Sequence, residues 1–487
     1  NSIAFATIML GAMQVGIPVM PVSPAYSLMS SDFAKIRFIF ESFTPSLVFA
    51  ETLGPFAKAL ETVDLAGVQV VSRRHADEIP GVFSFDELTS TAPGPAVEDA
   101  YRKVTLDSIG KILLTSGSTG LPKGVINPQR MLTANTVQVG RVWPFLADRP
   151  PVVVDWLPWN HTFGANFCFN TILAHGGTMY IDSGKPVPGR FEESLKNLRE
   201  IRPTVMWNVA RAYDLLVAEL EKDDGFNRHV FGDLDMAFYA GAGLPQSIWD
   251  KLEVLSIRAR GKRTPLLTSL GSTETGPSAI CCHWTSDVTG SIGHPVPGLE
   301  AKLVPTDGKT ELRIKGPNIT PGYYRDPAKT AAAFDDEGYF MIGDAVKWAD
   351  PADPDRGLMF DGRVAENFKL LEEIGLLAFP NFAAFKDLIG DAAGDMSPDA
   401  LVADERVHQA LADKLKAYNA GNPGSSTKVA RVLLMTEPPS IDAGEITDKG
   451  YLNQRAVLAR RADLIERLYD EANERANGDV VVVSHWH

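Results

Sequence analysis

Residues 113–125 read LLTSGSTGLPKGV, and this stretch decides which fold the sequence predicts. Gly117 and Gly120 allow the backbone to turn its N–H groups toward an anion, and Lys123 adds a positive charge. The hydroxyl groups of the stretch belong to Thr115, Ser116, Ser118 and Thr119. Short runs of Ser, Thr and Gly are also common in plain turns. The added lysine and glycines nevertheless favour a loop that holds phosphate groups.

The residues around this loop indicate which class of phosphate-binding loop it belongs to. The apolar run 112–114 predicts a buried strand, and Pro122 fixes the backbone just before Lys123. A Walker A loop has Gly directly before its Lys and Ser or Thr directly after it. Here Pro122 and Gly124 occupy those two positions, so we expect a phosphate loop of another class.

Composition limits the partners that the protein could have. The chain has 487 residues, more than one hydrophobic core usually serves, so we expect at least two domains. Its 47 Lys and Arg against 61 Asp and Glu give a net charge of −14. No dense basic run could follow a nucleic-acid backbone, so we expect no nucleic-acid partner.

The number of cysteines and the length of the apolar runs indicate the cellular compartment in which the protein is expected. The three cysteines, two of them adjacent, disfavour a disulfide framework or a tetrahedral metal site. No apolar run reaches the length of a membrane span, so we expect no membrane partner and a cytoplasmic location. The chain opens abruptly, without a capping lead-in, and we expect its native N-terminal part to be missing.

Alternating helical and β patterns predict an α/β fold. Runs rich in Val, Ile and Leu at 151–155, 203–207 and 234–239 are typical of parallel strands. We expect a large N-terminal domain, residues 1–362, with sheets flanked by helices. Its end follows a loop rich in Asp and Pro at 348–356.

The remaining residues, 363–487, predict a small α/β domain. The patterns favour a helix at 400–418, a strand at 429–435 and a charged final helix at 453–476. The apolar side of that last helix would carry Leu458, Leu464, Ile465 and Leu468.

A second motif, SLGSTETG at 269–276, follows an apolar run. Thr273 and Glu274 bring a hydroxyl beside a carboxylate, a combination that suits a phosphate-bound Mg²⁺. Taken alone, such a pair is more often a solvated turn or a helix cap.

In this order along the chain, the two motifs resemble those of AMP-forming acyl and aryl ligases, the adenylate-forming superfamily. The resemblance implies a large adenylation domain and a small mobile C-terminal lid. It implies that Thr273 touches the α-phosphate of ATP and that Glu274 holds Mg²⁺. Gly241, Ala242 and Gly243 resemble the small-residue turn that lies beside the adenine in this superfamily.

A third segment, GYFMIGDAV at 338–346, supplies a candidate ribose ligand. The Asp344 carboxylate can accept hydrogen bonds from both ribose hydroxyls, although an isolated Gly-Asp often only closes a hairpin. The resemblance implies that Arg363, in FDGRV, also contacts the nucleotide.

Residues 156–166, WLPWNHTFGAN, are similar to the corresponding segment of feruloyl-CoA synthetases. In this family the residue at His161 lies near the carboxylate of the acid, although a lone His among aromatic residues is more often a core residue. By position and type, the candidate pocket residues for the acid are Trp159, His161, Trp207 and Tyr239.

Lys449, in IDAGEITDKGYLNQ, is the candidate catalytic lysine, because a lysine near the acyl phosphate would stabilise developing charge. Many family members carry this lysine directly after a glycine, whereas here Glu445 follows Gly444. A further difference is that the family continues through a longer hinge and strand where this sequence runs from Leu370 directly into LEEIGLLAFPN. We expect either an omitted stretch or a real deletion near residue 370.

The resemblance implies an ATP-dependent ligase that joins an aryl or hydroxycinnamic acid, such as ferulate, to coenzyme A, with Mg²⁺ and possible homodimers. A second hypothesis is a ligase that stops at the acyl-adenylate or loads a carrier protein. A third, from another class, is an inactive nucleotide-binding scaffold.

Overall fold

The computed structural model describes residues 1–74, 81–116, 121–187, 189–287, 289–306, 308–364, 374–421, 428–446, 452–470 and 480–483. The chain divides into two compact units. One contains Asn1–Pro24 and Ile36–Asn367, and the other contains Ala25–Lys35 and Phe368–His487. The division lies five residues beyond the sequence-based boundary at 362, and the grouping of residues 25–35 with the C-terminal unit was not predicted.

The strands are β1 Leu47–Thr52, β2 Gln69–Arg74, β3 Val82–Ser84, β4 Ile109–Ser116, β5 Pro122–Pro128, β6 Val152–Asp155, β7 Thr178–Ile181, β8 Val205–Asn208, β9 Met236–Tyr239, β10 Leu266–Gly271, β11 Ser278–Cys281, β12 Ser291–Pro295, β13 Glu300–Thr306, β14 Lys309–Lys315, β15 Phe340–Trp348, β16 Leu358–Arg363, β17 Ile374–Ala378, β18 Val429–Leu434 and β19 Val480–Val482.

The helices are α1 Ile3–Gln14, α2 Ala25–Leu28, α3 Ala34–Phe43, α4 Ala57–Leu60, α5 Phe85–Ser90, α6 Pro95–Tyr101, α7 Gln129–Val142, α8 Phe145–Asp148, α9 Phe169–Ala174, α10 Phe191–Glu200, α11 Ala210–Leu220, α12 Asp224–Gly232, α13 Gln246–Arg260, α14 Pro327–Ala332, α15 Phe382–Ile389, α16 Pro398–Val402, α17 Glu405–Gly421, α18 Gln454–Arg460 and α19 Ala462–Tyr469. A π-helical turn, Phe163–Cys168, runs directly into α9.

The mixed α/β fold is confirmed, with a large mixed sheet in the first unit. Within the described ranges this sheet has nine strands in the order β13-β14-β15-β16-β12-β11-β10-β9-β8. β8, β9 and β10 are parallel, and β6 is parallel to β7, as the apolar runs predicted. The loop predicted at 348–356 does connect β15 to β16.

Each face of the parallel strands packs against its own apolar cluster. Trp207 and Phe238 belong to the cluster that contains the π-helical turn. Tyr239 belongs to the cluster formed with α11, α12 and α13. Successive side chains of a strand point to opposite faces, so neighbours along β9 enter different clusters.

β4 and β5 form an antiparallel hairpin, in which Leu113 pairs with Val125 and Thr115 with Lys123. Ile112, Leu113 and Leu114 are buried, which confirms the strand predicted before the loop. The turn of this hairpin, 117–120, lies outside the described residues.

In the C-terminal unit β17, β18 and β19 form a sheet, and β18 confirms the strand predicted at 429–435. Asp442 of this unit accepts hydrogen bonds from the hydroxyls of Ser30, at 2.6 Å, and Ser31, at 2.8 Å.

Two helix predictions for this unit were wrong in extent. The helix expected at 400–418 is divided into α16 and α17, because Asp404 turns its carboxylate back to the N–H group of Arg406. The helix expected at 453–476 is divided into α18 and α19 at Arg461, whose side chain is drawn inward by Glu445. Leu458, predicted on the apolar side, is exposed, whereas Leu468 is buried.

Within the described part of the chain, none of the helices combines the length and the apolar character that crossing a membrane requires.

Tyr213 of α11 ties two central strands together. Its hydroxyl lies 3.0 Å from the carbonyl oxygen of Met206 in β8 and 2.9 Å from that of Phe238 in β9. We expect Tyr213→Phe to lower the free energy of unfolding by about 1–3 kcal/mol, since buried strand carbonyls lose a donor. The midpoint of thermal unfolding measures this loss. Tyr180→Phe, at an exposed position on β7, is the control and should change it little; equal shifts would contradict the role of the buried hydroxyl.

Candidate active site

Three side chains from distant parts of the sequence meet at the base of the β4–β5 hairpin. Lys123 Nζ lies 2.9 Å from Glu274 Oε1 and 2.8 Å from the Tyr323 hydroxyl oxygen. The Tyr323 hydroxyl in turn donates to Glu274 Oε1 at 3.0 Å. The Lys123 ammonium also lies 4.3 Å from the centre of the Tyr323 ring, which adds a cation–π contact. The predicted phosphate-loop lysine and the predicted Mg²⁺ ligand are therefore direct neighbours.

Electrostatics keep the Glu274 carboxyl charged although it is buried. Burial alone would raise its pKa, but the Lys123 ammonium and the Tyr323 hydroxyl hold the pKa below its usual range. Burial and the adjacent Glu274 carboxylate raise the pKa of Tyr323, so this hydroxyl stays protonated and can act as a donor. The cluster is thus a lysine ammonium, a carboxylate and a phenol, with Lys123 still partly exposed.

Glu274 is placed by its turn and by a neighbouring segment. It lies in the short 3₁₀ turn Thr273–Thr275 that follows β10, where all three residues are buried. Its carbonyl oxygen accepts from the N–H group of Thr320 at 2.8 Å. That bond fixes the turn to the segment that carries Tyr323.

The sequence analysis missed Tyr323. Its backbone position depends on Gly322, whose φ of +140° and close contact with Thr330 leave no room for a Cβ. The next residue, Tyr324, donates its N–H to the Gly124 carbonyl of β5 at 2.8 Å. In the sequence, a Gly before two tyrosines is only a weak indication of a functional site. It is the fold that brings Tyr323 beside Glu274.

Thr115 shows the clearest fit to a phosphate oxygen. Its hydroxyl is buried and has no hydrogen-bond partner among the described residues. Such a donor normally has a partner, and a phosphate oxygen held by the hairpin would supply one. The strand also includes the backbone of Ser116, whereas Gly117, Ser118, Thr119 and Gly120 lie outside the described residues.

Asp344 and Arg363 form a second pair. They are opposite one another on β15 and β16, and Arg363 Nε lies 3.1 Å from Asp344 Oδ1. Asp344 is buried, while more than half of the Arg363 side chain is exposed. The structure therefore joins the predicted ribose ligand to the predicted nucleotide-binding arginine.

Gly241, Ala242 and Gly243 follow β9 after the single residue Ala240 and are exposed. Tyr239, at the end of β9, pairs with Thr268 of the parallel strand β10, which continues in the same direction to Gly271. A small-residue turn after β9 leaves the surface accessible next to the strand that leads to Thr273.

The predicted acid-pocket residues do not come together. Trp159 packs against Phe5 and Phe169, and Trp207 packs against Phe167. Tyr239 packs against Trp249 on the other face of the sheet. The expectation of one pocket lined by all three aromatic residues needs correction, because their strands and helices direct them into different parts of the core.

His161 is half-buried at the start of the segment that enters the π-helical turn. Its Nδ1 accepts a hydrogen bond from the N–H group of Phe163 at 3.3 Å, which orients the ring. Its predicted contact with the acid stays a prediction.

Lys449 and the sequence near residue 370 lie outside the described residues. Glu445 is described, and it is fully buried between Arg460 and Arg461. Hydrogen bonds from Arg461 outweigh burial and lower the pKa of Glu445 to about 2. Glu445 therefore has a structural part in the C-terminal unit.

No group of three or more His, Cys, Asp and Glu side chains suited to a metal ion occurs in the described ranges. A Mg²⁺ ion that binds through phosphate oxygens and water requires only one or two protein carboxylates. Glu274 fits that role as a single buried carboxylate.

The fold and this site define an α/β protein in which a lysine and a carboxylate meet at the base of the β4–β5 hairpin, and the same hairpin carries the Thr115 hydroxyl, which has no partner among the described residues. The model of the AMP-binding enzyme family matches residues 1–324. The chain therefore belongs to the AMP-binding enzyme family.

Relatives and solved structures agree with this assignment. A carboxylic acid reductase of Segniliparus rugosus is 27% identical over 430 residues, which cover 77% of this chain and 34% of the reductase. Long-chain-fatty-acid–CoA ligase 4 of Saccharomyces cerevisiae is 27% identical over 305 residues, covering 55% of this chain and 44% of the ligase. The chain thus spans less than half of either curated relative.

The crystal structure of the adenylation domain of a carboxylate reductase from Mycobacterium chelonae is similar in fold. It superposes with a TM-score of 0.70 at 21% identity, covering 96% of this chain and 79% of that domain.

We expect Lys123→Met to destabilise the protein in a pH-dependent way, because Glu274 would lose its cation. In the wild type the lowered pKa of Glu274 contributes stability above its unfolded value near 4.5, and this is lost as the pH falls through the folded pKa. In the variant the buried carboxylate is unfavourable, at about 1–3 kcal/mol near pH 7, and protonation relieves it in acid. The thermal midpoint measured from pH 4 to 8 should therefore differ most from wild type at neutral pH.

Lys222→Met is the matched control for this variant. Lys222 is exposed and pairs with Glu219, so its removal should change stability by about 0–1 kcal/mol. A deficit in Lys123→Met that is the same at every pH would contradict the assigned pairing.

Proposed function

We propose that this protein is an ATP-dependent, AMP-forming carboxylic acid–CoA ligase that activates an aryl or hydroxycinnamic acid such as ferulate. The acid first forms an acyl-adenylate and then a thioester with coenzyme A. The observation that carries the proposal is the cluster of Lys123, Glu274 and Tyr323 at the base of the hairpin. Membership in the AMP-binding enzyme family supports it.

In the first half-reaction a carboxylate oxygen of the acid attacks the α-phosphorus of ATP, and pyrophosphate leaves with the electron pair of the broken P–O bond. The hairpin loop and Lys123 would hold the phosphates and balance the negative charge on the leaving group. A Mg²⁺ ion that arrives with ATP would supply further charge neutralisation, with Glu274 as its carboxylate ligand.

When ATP binds, Lys123 would exchange its contact with Glu274 for a contact with a phosphate, and Tyr323 allows this exchange. Lys123 and Glu274 share the Tyr323 hydroxyl, so that Glu274 retains one donor when Lys123 turns to a phosphate. Thr115, whose hydroxyl has no partner among the described residues, would donate to the same phosphates. Thr273, beside Glu274, is the residue that we assign to the α-phosphate.

On the other side of the nucleotide we assign Asp344 to the ribose hydroxyls and Arg363 to orient Asp344. Their 3.1 Å ion pair supports this division of roles. Gly241, Ala242 and Gly243 would flank the adenine, and His161 would lie near the carboxylate of the acid.

In the second half-reaction the thiol of coenzyme A attacks the acyl carbon, and AMP leaves with the electrons of the acyl–phosphate bond. Lys449 is the proposed cation for the first half-reaction. Ferulate is proposed on the resemblance of residues 156–166 to feruloyl-CoA synthetases, and a homodimer stays a prediction.

A second candidate function is transfer of the acyl group to a carrier thiol, or arrest at the adenylate. One curated relative is a carboxylic acid reductase, whose name does not specify coenzyme A as the acyl acceptor, and this keeps a different acceptor as the second candidate. The two functions share the adenylation step and differ only in the acceptor.

The test is a panel of ferulate, coumarate, benzoate and a long-chain fatty acid, with and without coenzyme A. We expect AMP and pyrophosphate release with the aromatic acids, and a CoA thioester by mass spectrometry when coenzyme A is present. Adenylate without thioester would support the second candidate. Absence of pyrophosphate release with every acid, although ATP binds, would instead identify a nucleotide-binding scaffold.

We expect Lys449→Ala to lower the rate of acid-dependent exchange of pyrophosphate into ATP by at least about 10²-fold, the scale of loss when one preorganised group that stabilises transition-state charge is removed. ATP binding by calorimetry should change little. Lys414→Ala, an exposed position on α17, is the control and should keep the wild-type rate. An active Lys449→Ala protein would remove this lysine from the mechanism.

A further inference from the structure

Lys111 of β4 is fully buried, and its ammonium has three oxygen partners. Nζ lies 2.7 Å from the carbonyl oxygen of Ala165, 3.3 Å from Asn166 Oδ1 and 3.5 Å from Asn170 Oδ1. All three partners are uncharged, and burial lowers the pKa of Lys111 to about 7. Among the described residues no carboxylate forms an ion pair with this lysine, so its placement in the core is costly and calls for a reason beyond packing.

The partners of Lys111 lie on the π-helical turn Phe163–Cys168 and the first turn of α9. At this π turn the N–H group of Phe169 bonds to the carbonyl oxygen of Gly164, five residues back. Such wide turns occur frequently at functional sites. Lys111 reaches the carbonyl oxygen of Ala165 within this turn.

The same turn is also fastened to β5. Asn166 Nδ2 donates to Asn127 Oδ1 at 2.8 Å and lies 3.2 Å from the Thr162 hydroxyl oxygen. Asn166 is buried, and Asn127 is fully buried. Both strands of the hairpin are therefore joined to one helical turn by buried polar contacts.

Sequence spacing connects these contacts to the proposed site. Thr115 follows Lys111 by four residues on β4, so both side chains lie on the same face of that strand. His161 precedes Ala165 by four residues, and its carbonyl oxygen accepts from the N–H group of Ala165 at 2.9 Å. A shift of the Lys111 ammonium would therefore be transmitted to Thr115 along a strand and to His161 through one helical turn.

We propose that Lys111 is a positioning residue that fixes the phosphate-loop hairpin relative to the His161 segment. It thereby holds the phosphate side and the acid side of the site at a reactive distance. This inference rests on the proposed function. Two reactants aligned by such a link lose much of their rate when the alignment shifts by about 1 Å.

The test compares wild type with Lys111→Met, which keeps the length of the side chain and removes the ammonium. We expect the kcat of acid-dependent pyrophosphate exchange to fall at least about tenfold while the KM for ATP stays within about twofold, because alignment rather than ATP binding is lost. Lys111→Arg should recover part of the rate by donating to the same oxygens. Ile112→Val, a buried neighbour on β4, is the control for a loss of stability alone.

Hydrogen exchange gives a readout that does not need turnover. In the wild type, Mg-ATP should slow amide exchange both in the hairpin and in residues 161–170. In Lys111→Met only the hairpin should respond. If Lys111→Met does not fold, Asn170→Leu, which removes one half-buried acceptor, should show the same uncoupling in weaker form.

The outcomes separate this inference from the proposed function. An inactive wild type with every acid overturns the function, and the exchange experiment then decides the role of Lys111. The inference is overturned if the wild type is active and Lys111→Met keeps the wild-type kcat, with Mg-ATP still slowing amide exchange in both the hairpin and residues 161–170. Lys111 would then be a purely structural residue.

Discussion

The buried carboxylate of Glu274 is the constraint on which the site depends. A charge removed from water must be paired and hydrogen-bonded, and Glu274 meets that demand with Lys123 and Tyr323, which stand 151 and 49 residues away. Satisfying it requires the β4–β5 hairpin, the end of β10 and the segment around Tyr323 to meet. Backbone bonds from Thr320 to Glu274 and from Tyr324 to Gly124 close the same three-way junction. Electrostatic pairing and backbone pairing thus specify one arrangement.

Sequence reasoning was strongest where chemistry and local pattern coincided. Three features could be predicted: the apolar strand before the loop, the lysine after it and the Thr-Glu turn. Their order along the chain indicated that they belong to one site. Tyr323 could not be predicted, because its role comes from a backbone made possible by Gly322 and from pairing with β5. Trp207 and Tyr239 were grouped by residue type, whereas the face of the sheet that each one occupies decides its neighbours. The break at Arg461 likewise depends on a partner 16 residues away, Glu445, and not on helical periodicity.

Two buried ionisable groups near the core show how differently polar atoms are accommodated. Burial lowers the pKa of Lys111 to about 7, so both its ammonium and its amine form are populated at pH 7, and either form can donate to its oxygen partners. Asp155, at the end of β6, accepts from the N–H group of Leu157, but its second carboxyl oxygen has no partner among the described residues. Burial raises the pKa of Asp155 to about 8, so it is mostly neutral at pH 7. A neutral Asp155 carboxyl makes one described hydrogen bond, whereas the Lys111 amino group connects β4 to the π-helical turn and α9.

The same reasoning applies to the buried carboxylate of Glu445 in the C-terminal unit. A lysine at position 445 would face Arg460 and Arg461, two like charges that now bind the Glu445 carboxylate at 2.6 Å each. The position after Gly444 is therefore incompatible with a free catalytic cation in this chain. The backbone pairs again directly beyond it, between Ile446 and Leu452, and Asn453 donates its N–H to the carbonyl oxygen of Glu445 at 2.8 Å. In the sequence Lys449 falls between Ile446 and Leu452, and among the described residues Glu445 contacts both the segment before it, at Ser440, and the segment after it, at Asn453. Under the proposed role of Lys449, four residues further along the chain, the position directly after Gly444 has a structural role filled by Glu445.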